Sequence, residues 1–71
     1  MEKIPKATLI IEIPVARYRL LKGNKPPALG DILELDQGFT SPEGKAMVLA
    51  YHRGTDDEYD YEAEVYESEI E

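Results

Sequence analysis

This 71-residue chain predicts an all-β domain on three observations: apolar residues alternate with period two, turn signals recur at short intervals, and β-branched or aromatic residues concentrate between the turns. The alternation is clearest at the C-terminal end. There Tyr59, Tyr61, Ala63 and Val65 occupy every second position within Asp56–Glu71, a stretch with nine acids and no base. Such a strand has one apolar face and one strongly negative face.

The remaining elements follow in chain order. Ala7–Ile13 is rich in β-branched residues and reads as a strand, with Leu9, Ile11 and Ile13 on one face and Thr8, Ile10 and Glu12 on the other. Pro14 has no amide hydrogen to give a ladder and interrupts it. Val15–Lys22 fits a strand, with Ala16, Tyr18 and Leu20 inward and Arg17 and Arg19 outward. The competing reading is a short helix over 15–22, begun at Pro14 and capped by Gly23, which would make the fold α+β. Two turns are short for a helix, and the apolar spacing makes a poor helical stripe.

Gly23–Gly30 is a loop stiffened by Pro26 and Pro27. Asp31–Leu35 is a short strand carrying Leu33 and Leu35 on one face. Phe39 falls in a loop between turn signals. Ser41-Pro42-Glu43-Gly44 fits a type I turn, with proline second and glycine fourth. Lys45–Arg53 is apolar on both faces and reads as the central, most buried strand. Arg53–Glu58 is an exposed loop. In the last strand the apolar face slips from Val65 to Tyr66, Ser68 and Ile70, so a β-bulge is expected near Val65-Tyr66.

Residues 1–71 allow one small domain. Its length is too short for a seven-stranded sandwich and suits four to five bent antiparallel strands. The order of strand, long loop, Gly-Asp strand, hairpin and strand resembles an SH3-like barrel in general layout. That resemblance implies a fold and no particular activity. Cysteine is absent, so no disulfide staples the domain and the core must carry it. No stretch approaches the roughly 20 apolar residues of a membrane span, and Met1–Ile13 does not make a secretory leader. The expected location is cytoplasmic, with no membrane partner.

The net charge of −7 is unevenly distributed. Residues 1–35 carry six bases and four acids, and residues 36–71 carry two bases and eleven acids. A field of this sign disfavours nucleic acid and favours a basic protein, with faster association at low salt. It also keeps a small domain soluble. The one basic cluster is Arg17, Arg19, Lys22 and Lys25, the alternative nucleic-acid patch. Its competing explanation is cross-strand pairing of Arg17 and Arg19 with Glu62 and Glu64.

Little here points to catalysis. There is no thiol, and neither Ser41 nor Ser68 lies in a Gly-x-Ser-x-Gly setting. His52 is the only imidazole; it reads as a strand-end histidine making one hydrogen bond. Asp56, Asp57 and Glu58 lack EF-hand spacing, and no glycine loop cradles a phosphate. No catalytic, cofactor or metal residues are assigned, and the chain is expected not to be an enzyme. Of five tyrosines, Tyr18, Tyr51, Tyr59 and Tyr61 fit inward positions, while Tyr66 is less determined. The expected role is a protein-interaction module that presents its acidic strand to a basic partner through Phe39, Glu58, Asp60, Glu62, Glu64, Tyr66 and Glu67. A self-associating accessory subunit, with the C-terminal strand as an edge, is the second reading.

Overall fold

Five antiparallel strands form one sheet in a computed structural model that describes residues 4–55 and 57–71. They are β1 (Lys6–Thr8), β2 (Tyr18–Leu20), β3 (Ile32–Thr40), β4 (Ala46–Arg53) and β5 (Tyr59–Tyr66), in the spatial order β1-β3-β4-β5-β2. The all-β expectation holds, and the sheet does not close into a barrel. An isolated bridge between Leu9 and Ile70 ties the chain end to the segment after β1. Main-chain bonds between Thr8 and Glu71 (2.8 and 2.9 Å) and from Ile10 to Glu69 (3.0 Å) support it.

Two expected elements change. Of the expected strand Ala7–Ile13 only Ala7 and Thr8 pair in the ladder, joined by Lys6 before them, because the chain then turns to meet residues 69–71. The expected inward face nevertheless persists: Leu9 and Ile13 are buried, and Ile11 packs against the core. In Val15–Lys22 both readings are partly realised. A single 3₁₀ turn, Val15–Arg17, closes with the Arg17 N–H on the Pro14 carbonyl and runs straight into β2. The Ser41–Gly44 turn forms as expected. The Gly44 N–H meets the Ser41 carbonyl at 2.9 Å, and Gly44 has a φ of +85° that a side chain would strain.

The sheet has an inner face, covered by residues 9–13 and Ile70, and an outer face. The inner core is Leu9, Ile13, Leu33, Ala50, Tyr61, Ala63 and Val65. β4 is central in the sheet, yet β5 is the more buried strand. Asp60, Tyr61, Ala63 and Val65 are buried on β5, whereas Leu49 and Tyr51 of β4 lie on the outer face opposite Glu64 and Glu62. β5 is therefore no edge, and the edges are β1 and β2. The C-terminal strand is thus not the sheet edge expected of it, because β2 pairs with it over Tyr61–Ala63.

Two bulges decide which side chains meet which face. In β3, Leu35 pairs with Ala50 and Gly38 with Val48, so Asp36 and Gln37 share the space opposite Leu49. The extra residue inverts the alternation, and Phe39 turns from the core side to the outer face. Phe39 thus belongs to a strand, not to a loop. In β5, Tyr61 pairs with His52 and Tyr59 with Arg53, leaving Asp60 as the extra residue. The expected bulge at Val65-Tyr66 is absent. The strand instead ends at Tyr66, and a 3₁₀ turn, Glu67–Glu69, carries Ile70 to the core.

Candidate functional site

The outer face is built by alternation along β3, β4 and β5; two rows across it join one aromatic or apolar residue to acids, and the third is aromatic and apolar throughout. Glu34, Tyr51, Glu62 and Arg19 form one row. Leu49 and Glu64 form the next, and Phe39, Met47 and Tyr66 the third. Phe39 is 37% exposed. Gln37, Phe39, Leu49 and Glu64 line a hollow of about 270 Å³. A second hollow of about 350 Å³ lies by the same ring and includes Met47 and Glu67. Among the described residues, no base lies within ion-pair distance of the carboxylates of Glu64 or Glu67.

Of the expected partner-binding residues, the structure brings Phe39, Glu64, Tyr66 and Glu67 to one end of this face. The other three are paired with bases or buried. Glu62 is bound to Arg19 at 2.8 Å, and Glu58 lies 3.4 Å from Lys22. Asp60 was expected to project into solvent with Glu58, Glu62 and Glu64; it is buried, because the bulge turns it to the inner face. The same bulge puts Tyr59 on the outer face against Tyr51, with ring centroids 5.1 Å apart. Tyr51 and Tyr59 therefore leave the expected inward set, while Tyr18 and Tyr61 remain in it with an edge-to-face contact at 6.4 Å.

The basic cluster is largely consumed by the acidic end. Arg19 pairs with Glu62 as the register demands. Arg17 takes Glu69 rather than the Glu64 carboxylate, giving two bonds of 2.7 and 2.8 Å and a third, at 3.2 Å, to the Glu64 carbonyl. Its guanidinium lies 5.0 Å from the Tyr66 ring centre, and Lys45 lies 5.6 Å from the same ring. Arg53 repeats the arrangement at the opposite end. It stacks 4.7 Å from the Tyr59 ring centre and holds Glu34 at 2.7 and 3.2 Å. Asp57 also accepts from Arg53, so it and Glu58 are engaged by bases; Asp56 lies outside the described residues. No three potential ligands converge as a metal site among the described residues.

These pairs give the fold an acid limit. The Arg53 guanidinium holds Glu34 below the ordinary carboxylate value, and the Arg17 guanidinium does the same for Glu69. A depressed folded pKa contributes stability above the unfolded value of 4.5 and loses it as pH falls through the folded value. The urea midpoint is therefore expected to hold steady from about pH 7 to 5 and to fall below about pH 4.5. Replacing Glu34 and Glu69 together by Gln should flatten that fall; an unchanged acid profile would contradict the assignment.

A second cluster was not legible in the sequence. His52 stacks on Tyr61 with centroids 5.3 Å apart and planes within 9°. A carboxylate accepts, so His52 Nδ1 donates to Asp60 Oδ2 at 2.9 Å, while Asp31 Oδ1 lies 3.8 Å from Nε2. The Tyr61 hydroxyl donates to Asp31 Oδ2 at 2.8 Å. Burial, aided by Asp31, raises the Tyr61 pKa, so its phenol remains a donor at neutral pH. His52 thus makes the single hydrogen bond expected, to Asp60, with a second carboxylate, Asp31, 3.8 Å from its other ring nitrogen. The arrangement clamps an imidazole and joins the loop before β3 to β4 and β5. Nothing local marks it, since Asp60 occupies a polar position of the same alternation as Glu62 and Glu64.

Comparison with known proteins finds no family model, no curated protein and no solved structure that matches this chain.

Proposed function

We propose that the protein is a non-enzymatic binding module whose outer sheet face receives a basic protein. The observation that carries this reading is the end of the face where Phe39 stands exposed between Glu64 and Glu67, with Leu49 and Met47 beneath. An apolar centre rimmed by charge of one sign suits a partner of opposite charge, which the rim steers and the aromatic anchors. Nucleic acid ranks behind, because Arg17, Arg19 and Lys22 are already engaged by Glu69, Glu62 and Glu58. The five-stranded antiparallel sheet with its Leu9–Ile70 bridge supports an SH3-like layout as the scaffold. A cytoplasmic setting is part of the same proposal. Among the described residues no helix is long and apolar enough to cross a membrane.

The test is a pull-down from the native lysate at about 50 mM and 500 mM salt, where screening should separate charge-driven capture from the rest. Wild type is expected to retain a basic protein at low salt and release it at high salt. Glu64→Lys with Glu67→Lys should lose it at both. Retention by that double variant at low salt sinks the proposal.

A further inference from the structure

Apart from Tyr51, whose flanking Glu34 and Glu62 are held by Arg53 and Arg19, the outer face carries three pairings of an aromatic ring with carboxylates, and the chain's own arginines fill two of them. Arg17 covers Tyr66 and binds Glu69 through both nitrogens. Arg53 covers Tyr59 and binds Glu34 through two more. The third is Phe39 with Glu64 on one side and Glu67 on the other. Among the described residues no guanidinium reaches it: Arg17 and Arg53 are committed as above, and Arg19 is held by Glu62. The β3 bulge creates the vacancy by turning Phe39 outward.

We propose that this third position is the seat of an arginine side chain supplied by the basic partner, its guanidinium stacked on Phe39 and bonded to Glu64 or Glu67. The inference rests on the binding-module reading and names the residue that face recognises. Arginine fits better than lysine for two reasons. A planar guanidinium stacks on a ring while its fork meets a carboxylate, whereas an ammonium is a compact, strongly hydrated point charge. Moreover, both filled positions are built that way from arginine. Hollows of about 270 and 350 Å³ on the two sides of the ring give the side chain room to enter.

The experiment uses the full chain and three acetylated, amidated peptides, Gly-Arg-Gly-Arg-Gly, its lysine counterpart and its citrulline counterpart, titrated at about 20 mM salt, where ion pairing is least screened. The chain has a single phenylalanine, so ring-proton NMR reports on Phe39 without ambiguity. The arginine peptide is expected to shift the Phe39 ring saturably. The lysine peptide should bind several-fold more weakly, and citrulline, which keeps the planar shape but not the charge, should not bind. Glu64→Gln with Glu67→Gln should weaken the arginine peptide by about tenfold or more. Phe39→Leu should abolish the preference for arginine over lysine while leaving the circular dichroism of the fold unchanged. Equal binding of arginine and lysine peptides without a Phe39 shift overturns this inference and leaves an acidic face that binds by charge alone. Binding of none of the three overturns the inference and counts against the binding-module reading as well.

Discussion

Tyr61→Ala is expected to cost about 3–5 kcal/mol, the usual result of emptying a large buried aromatic site. Tyr61 is fully buried and stands at the meeting point of the inner core. Its ring stacks on His52, takes the edge of Tyr18 and packs beside Leu33 and Ala63. A domain of this length has a total stability of roughly 4–11 kcal/mol, so the variant should lose from about a quarter to all of it. Tyr61→Phe separates packing from the polar contact. It removes only the bond to Asp31 Oδ2, which the Ala28 N–H also meets at 2.9 Å, and should cost about 1–2 kcal/mol. Urea denaturation of both variants checks the ranking. Similar costs for the two would show that the hydrogen bond, not the ring, is the principal contribution.

Asp60→Ala is the second large effect, at about 1–3 kcal/mol, because it strands His52 Nδ1 where little water reaches. His52→Ala should cost a similar amount, and the double variant should cost less than the sum, since the two losses are one interaction. A glycine provides a sharper test. A Cβ on Gly54 would stand 2.7 Å from Asp60 Oδ1 and 3.1 Å from its Cγ, and a Cβ on Gly23 would strike the same carboxylate. Gly54→Ala is therefore expected to destabilise the wild type by about 1–3 kcal/mol through overpacking. In an Asp60→Ala background the atom it strikes is gone, and most of that cost should vanish. Additive costs would mean that Asp60 does not occupy the space between the glycines.

The parts of the fold legible in the sequence depend on near neighbours. The Ser41–Gly44 turn is written in proline and glycine at fixed positions, and it forms with the expected bond. Leu9, Ile11 and Ile13 reach the core although the ladder ends at Thr8. Arg19 meets Glu62 because alternation on two strands places them opposite each other. The break in alternation at Tyr66 was also visible; a short turn, rather than a bulge, resolves it and returns Ile70 to the core.

The chain by itself determined an all-β domain with an inner row from β5, an acidic C-terminal half and bases placed to neutralise part of it. Period two, turn chemistry and charge sign are properties of adjacent residues, so they survive any arrangement of the strands. The tertiary structure alone decided where the alternation inverts. One extra residue at Asp36–Gln37 sends Phe39 outward, and one at Asp60 sends an acid inward to His52 and Tyr59 outward to Arg53. A bulge is a mismatch between two strands in register, and register is set by partners far apart in the chain. Neither the anchoring ring of the outer face nor the carboxylate clamp of the inner one could be assigned until β3, β4 and β5 were laid side by side.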